Sequence, residues 1–240
     1  MTSVFDPIRE DFEHELNAIR SVVSAFSNPA DGNPRTRVAA ANSATLLLAA
    51  TFEEFVREMA RAYARAVVNS CGSNSKLPAL LIARAWQRTL DSLARMKIDG
   101  KEGIPTDALS RFTVVYDFCR GDLSQDIYRD LIHNENNMRP SEINSMFKVS
   151  GLNNACKIVC GCDTMAEYLG EKDVDAANGI LVSRLEAFFE RRNQVAHSIS
   201  TMTSSSAQLI FQDIELLDVF SHALSEQLFE HAPAENTATD

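Results

Sequence analysis

Apolar side chains recur at steps of three and four along most of this chain. That period matches the 3.6-residue turn and commits the chain to helices that must bury one face. Between residues 5 and 26, Phe5, Ile8, Phe12, Leu16, Ile19, Val22, Val23 and Phe26 keep the step. The run Asn28-Pro29-Ala30-Asp31-Gly32-Asn33-Pro34 then interrupts it, because proline and glycine both oppose a continuing helix. A long helix is expected from about Thr36 to Val68, with Leu48, Phe52, Phe55, Val56, Met59 and Tyr63 on one stripe and Cys71-Gly72-Ser73-Asn74-Ser75 ending it. A third is expected over about Leu77–Met96, with Pro78 in its first turn, where a missing N–H costs little.

The middle of the chain is less regular. Lys97–Pro105 reads as a polar loop with two glycines. Arg111–Cys119 holds Phe112, Val114, Val115, Tyr116 and Phe118, and so short a run fits a strand or a buried helix equally well. Pro140-Ser141-Glu142 opens a short helix that stops by Gly151, and Asp163 can cap another, expected through Leu169. From about Asp173 a strong helix runs into a basic cluster, carrying Ile180, Leu181, Val182, Leu185, Phe188, Phe189 and Val195. A serine- and threonine-rich loop, Ser198–Ser206, separates it from a last helix over about Asp213–His231. The expected fold is all-α, with short helices inserted between the core helices.

The 240 residues are 45% hydrophobic and 23% charged, an ordinary globular balance. No linker-like composition or internal repeat divides them, so residues 1–231 are read as one domain and 232–240 as a flexible tail. Met1-Thr2-Ser3-Val4-Phe5-Asp6-Pro7 lacks the basic start and apolar run of a signal peptide, and the longest apolar stretch, around Leu46–Ala50, is too short to span a membrane. Cys71, Cys119, Cys156, Cys160 and Cys162 make an odd count, which suits reduced thiols in the cytoplasm. The net charge of −10 argues against a large basic face, so a nucleic-acid partner would be gripped locally by few phosphate contacts.

One charge violates the helical pattern. At about 100° per residue, Leu181, Leu185, Phe188, Phe189 and Val195 cluster on one side of their helix, and Arg192 falls in the middle of that stripe. A guanidinium in a core-facing row is costly unless it is paired or used. Arg191 sits at the stripe's edge, from which it can snorkel to water as a solvated charge. His197 lies five residues after Arg192, about 140° around an unbroken helix, so the two do not share a face, whereas Asn193 and His197 do. Either the helix ends before His197 or a second subunit completes the site.

Arg192-Asn193-Gln194-Val195-Ala196-His197 resembles the Arg-x(4–6)-His signature of the HEPN superfamily, with a polar residue directly after the arginine. Phe52-Glu53-Glu54-Phe55-Val56-Arg57 resembles that superfamily's recurring Phe-Glu-x-Phe pattern, and Asn137-Met138-Arg139-Pro140-Ser141-Glu142-Ile143 is similar to its RiboL-PSP-associated members. The likeness spans about residues 40–230. HEPN toxins controlled by nucleotidyl transfer carry a tyrosine two residues after the histidine, whereas this chain has Ile199, so that control is not expected.

The resemblance implies a HEPN-like helical bundle and a homodimer whose two motifs face each other and cut RNA without a metal. It also implies a toxin or phage-defence role, with an antitoxin or regulatory protein as a further partner. Arg192 and His197 are then the catalytic pair, and Asn193, Arg191 and Glu53 support them, with Glu53 fixing Arg192. Side-chain chemistry agrees: imidazole exchanges protons near neutral pH, and guanidinium holds a phosphate bidentately. The alternative is a non-catalytic HEPN module that binds a nucleotide, RNA or a protein.

Blander readings stand beside these. Glu53 has an i,i+4 partner in Arg57, and Arg192 could be a buried arginine capping carbonyls beside a surface histidine. Cys156-x3-Cys160-x-Cys162 lacks zinc-deaminase spacing, and His133-x-Glu135 does not complete it, so buried thiols are expected and no metal or cofactor.

Overall fold

A computed structural model of the chain describes residues 3–27, 33–96, 106–133, 137–197 and 204–233. Among them are ten α-helices and no strand: α1 Asp6–Ser27, α2 Pro34–Cys71, α3 Ala79–Arg95, α4 Thr106–Arg120, α5 Tyr128–Leu131, α6 Pro140–Lys148, α7 Ala155–Val159, α8 Asp163–Leu169, α9 Val174–His197 and α10 Ala207–His231. The loop expected at 97–105 and most of the tail expected at 232–240 lie outside the described residues, as do 198–203 of the serine- and threonine-rich loop.

Local signals explain the helix ends. The Asn33 side chain accepts from the Arg35 N–H to start α2, with Pro34 at its first position. Gly72, at φ +62°, closes α2 in a left-handed conformation that a side chain disfavours. The last helix begins at Ala207 rather than near Asp213, because Ser206 Oγ accepts from the Leu209 N–H at 3.1 Å and caps it. Pro78 precedes α3 as its cap residue instead of lying in the first turn. The segment around Arg111–Cys119 is helical, in α4: Ala108, Val115 and Phe118 are buried while Phe112 and Tyr116 are exposed, which is a helical period.

The long helices share one continuous core. α1 lies on α2 and α10, α2 also meets α9 and α10, and α6, α7 and α8 fill the space beside α9 and α10. Phe52 of α2 is fully buried at the centre, its ring 6.2 Å from Phe12 of α1, 6.2 Å from Phe189 of α9 and 5.5 Å edge-on from Phe220 of α10. Tilted and edge-on rings at these distances add to what burial alone contributes. α3 and α4 pack chiefly on each other at the periphery, with α5 joining α3 to α2. No described helix is long and apolar enough to cross a membrane.

Phe52→Ala should leave a hole bordered by three other helices and cost about 3–5 kcal/mol. The check is a lower urea midpoint at unchanged slope; a cost under about 1 kcal/mol would mean that the ring cluster does not organise the core.

Candidate active site on the penultimate helix

Helix α9 continues unbroken through His197, its last residue. Of the two routes by which Arg192 and His197 could meet, an early helix end is therefore not the one taken. Glu186, Glu190, Asn193 and His197 succeed one another at steps of four and three, so they form a polar ladder on one face. The opposite face carries Leu181, Leu185, Phe188 and Phe189, all fully buried.

The segment before α6 lies along that ladder. Arg139 bonds Glu186 at 2.5 Å and Glu190 at 3.2 Å, and Asn137 Nδ2 donates to Asn193 Oδ1 at 2.7 Å. His197 is one turn past Asn193 and exposed. Among the described residues it makes no hydrogen bond or ion pair.

Arg192 leaves the core stripe with its head group only. Its Nη1 donates to Asn193 Oδ1 at 3.3 Å, so the guanidinium reaches toward the face that carries His197. Its Nη2 lies 3.9 Å from Glu53 Oε1, close enough for attraction but beyond hydrogen-bonding range. The arginine side chain is 27% exposed and that of Glu53 12%. Asn193 Oδ1 thus receives two donors, which fills its acceptor capacity and leaves the amide N–H groups as its other polar edge.

Glu53 faces this arginine, while Arg57 bonds Glu54 at 2.8 Å. Burial pushes the Glu53 carboxyl above its ordinary range, outweighing the pull of Arg192, of Arg57 and of the Met138 backbone. Arg192 Nε and Glu53 Oε1 are buried without hydrogen-bond partners among the described residues, so the pair is held by charge and packing rather than by bonds.

Arg191 departs from expectation. It does not snorkel to water as a solvated charge but bonds Asp213 of α10, Nη2 to Oδ1 at 2.5 Å. Asp213 is buried, and desolvation holds its carboxyl above the usual range despite the adjacent guanidinium. Arg191 therefore ties α9 to α10, a structural task at the edge of the site.

The structure brings Arg192, Asn193 and Glu53 together, leaves His197 exposed one turn beyond Asn193, and turns Arg191 elsewhere. It adds Asn137, Arg139 and the Met138 backbone, which sequence spacing could not connect to α9. Cys156, Cys160 and Cys162 are buried, and burial pushes the Cys156 thiol up to about 12 and that of Cys160 to about 11. Among the described residues no three His, Cys, Asp or Glu side chains gather as metal ligands do.

An all-helical chain with an arginine and a histidine closing its penultimate helix has the form of a HEPN protein. The chain belongs to the RiboL-PSP-HEPN family, whose model matches residues 10–231. No curated protein and no solved structure matches it. Membership points to an RNA-cleaving or nucleotide-binding role.

Arg191→Ala strands the buried Asp213 carboxylate and should cost about 2 kcal/mol near pH 7, less than a fully buried pair because Arg191 is partly exposed. The sign with pH follows from the raised Asp213 pKa. As pH falls through it, the carboxyl becomes neutral and no longer needs the cation, so the penalty should be smaller at an acidic pH than at pH 7. Urea midpoints of both proteins at the two pH values measure this, and a penalty that grows with acid would contradict it.

Proposed function

We propose that the protein is a metal-independent endoribonuclease acting as a homodimer, with Arg192 and His197 at its reacting centre. One observation carries the reading: an arginine held by Glu53 and Asn193 stands just over a turn before an exposed imidazole at the end of α9, within a HEPN chain. Arginine supplies fixed positive charge for a phosphate that gains negative charge in the transition state. Imidazole supplies a group able to take or give a proton near neutral pH.

In this mechanism one imidazole removes the 2′-hydroxyl proton as the 2′-oxygen attacks the adjacent phosphorus. The bond from phosphorus to the 5′-oxygen breaks, and a second imidazole protonates that leaving oxygen. The products are a 2′,3′-cyclic phosphate and a 5′-hydroxyl. One histidine cannot be base and acid in the same transition state, which is the argument for a second copy of the chain. Since the helix is unbroken, the Cα–Cβ directions of Arg192 and His197 diverge by about 140°, and a facing α9 would close the arrangement. Asn193 offers amide hydrogens to the phosphate, and Glu53 positions Arg192.

The continuous core supports reading residues 1–231 as one domain. We place the protein in the cytoplasm as a toxin or phage-defence nuclease, its partners being RNA and an antitoxin or regulatory protein. A nucleotide- or RNA-binding HEPN module without turnover is the competing reading, and activity separates the two.

Incubation with mixed cellular RNA and EDTA should give cleavage by the wild type and at least about a hundredfold less by His197→Ala. Cleavage by both proteins, or by neither, would remove the reading's main support. Arg192→Lys keeps the charge but loses the planar fork and should slow cleavage at least tenfold, by about 1.4 kcal/mol.

The rate should be bell-shaped in pH, because one imidazole must be neutral and the other charged. Fragments ending in 5′-phosphate would mean that an external water attacks, and the paired-histidine mechanism would fall. A light-scattering mass near the 26.5 kDa monomer, with or without RNA, would remove the dimer.

A further inference from the structure

The residues Asn137, Met138 and Arg139, directly ahead of α6, each hold a different part of the candidate site. Asn137 Nδ2 donates to Asn193 Oδ1 at 2.7 Å, the Met138 backbone draws on the Glu53 carboxyl, and Arg139 pairs with Glu186 and Glu190. The turn itself is fixed from within. The Arg139 N–H donates to the Asn137 carbonyl at 2.7 Å, and the Met138 side chain is fully buried. The Arg139 carbonyl accepts from Glu142 and Ile143 to start α6, with Pro140 at its first position. Asn137 is therefore presented to α9 by a built element.

Chemistry fixes which way the two amides face. A guanidinium only donates, so the Asn193 atom 3.3 Å from Arg192 Nη1 must be the oxygen. The Asn137 atom that approaches the same oxygen must then be the nitrogen. The last torsion of asparagine is broad and close to two-fold, so the rotamers of Asn193 do not themselves choose between oxygen and nitrogen. Arg192 holds the oxygen weakly, at the long end of hydrogen-bonding distance. Asn137, at 2.7 Å, decides the orientation. With Oδ1 taken on that side, the N–H groups of Asn193 are turned to the other edge of its amide.

We propose that Asn137 is a positioning residue for RNA cleavage: by holding Asn193 Oδ1, it aims the Asn193 N–H groups at the phosphate that Arg192 also meets. Asn137 itself touches no reacting atom, and the role rests on the ribonuclease reading for the identity of the phosphate. A donor aimed in advance needs no reorganisation when negative charge develops on the phosphate oxygens. An amide free to flip spends part of its time presenting its own oxygen to that charge. A mere fastening of the turn to α9 does not account for the bond. Arg139 already makes two contacts with α9 and Met138 is fully buried, so the turn stays seated without the Asn137 amide.

The test is a double-mutant cycle in full-length protein, read as the single-turnover cleavage rate of a fluorescein-labelled single-stranded RNA of mixed sequence. Asn193→Ala is expected to slow cleavage about tenfold or more, as loss of a donor to the developing charge does. Asn137→Ala is expected to slow it about threefold or more in the wild-type background but less than about twofold in the Asn193→Ala background, because a residue that acts through another has nothing left to orient. Asn137→Asp keeps the shape but, when ionised, cannot donate, so it should be slower than Asn137→Ala. A side chain that only filled space would give the reverse order. Asn193→Asp keeps the acceptor that Arg192 and Asn137 use but has no N–H, and should be as slow as Asn193→Ala. Urea midpoints identify the folded variants; if Asn137→Ala does not fold, the isosteric Asn137→Asp carries the cycle.

Equal slowing by Asn137→Ala in both backgrounds would overturn the positioning role, and so would Asn193→Asp cutting as fast as the wild type. If the wild type cuts RNA and the folded Asn137 variants cut as fast, the nuclease stands and the positioning role falls. If the wild type cuts no RNA, the nuclease reading falls, and the same cycle is read by anisotropy as affinity for a 2′-O-methyl form of the strand. A non-additive loss of affinity then supports Asn137 as the residue that turns Asn193 toward a bound phosphate. An additive loss, or none, overturns it.

Discussion

The contact of Phe52 with the rings of Phe12, Phe189 and Phe220 fixes the phase of every long helix against α2. Packed interiors tolerate little sliding, because side chains interdigitate at crystal-like density. With Phe52 and Phe189 in contact, the residue after Phe52 and the residue three beyond Phe189 both lie within a helical turn of that contact. Those are Glu53 and Arg192, and their approach to 3.9 Å follows from the aromatic register rather than from a strong bond of their own. The ring cluster places the charges, and the charges then define what the end of α9 can do.

The neighbouring arginines of α9 show how 100° of rotation divides labour. Arg191 turns to Asp213, so its hydrogen bond joins two helices. Arg192 points between α2 and its own polar face and touches Asn193 at 3.3 Å, and Nε of both arginines is buried without a hydrogen-bond partner among the described residues. A guanidinium with unspent donors beside a carboxylate is a poor stabiliser, since burial costs both groups hydration that attraction only partly returns. Its position is better explained by orientation: Glu53 and Asn193 limit the side chain to few conformers, which suits a group that must meet a phosphate at a set angle.

Where the local signal is strong, much of this is legible in the sequence. The spacing of Leu181, Leu185, Phe188 and Phe189 defines the buried face of α9 and marks Arg192 as the exception to it. The pattern around Phe52 and Glu53 marks the helix that Arg192 meets. The ambiguous stretch Phe112–Phe118 resolves into a helix because only Val115 and Phe118 of it are fully buried, a choice made by α3 packing alongside and not by the segment itself. The partner of Arg191 is not readable: Asp213 is 22 residues away on another helix, and the geometry that selects it over water is tertiary. Asn137 and Arg139 belong to a recognisable pattern, but a link spanning 56 or 51 residues leaves no period in the sequence.

The same limit governs the charge argument. A net charge of −10 describes the far field, and from it alone no sizeable basic face is expected. At physiological ionic strength the screening length is about 8 Å, so a phosphate at a surface responds to the groups within a few side chains of it. Arg61, Arg84, Arg88, Arg95, Arg111 and Arg129 line one cleft between α2, α3, α4 and α5, yet Glu54 and Glu58 bond Arg61 and Asp130 bonds Arg111, so a count of cations overstates the charge that a neighbour would meet there.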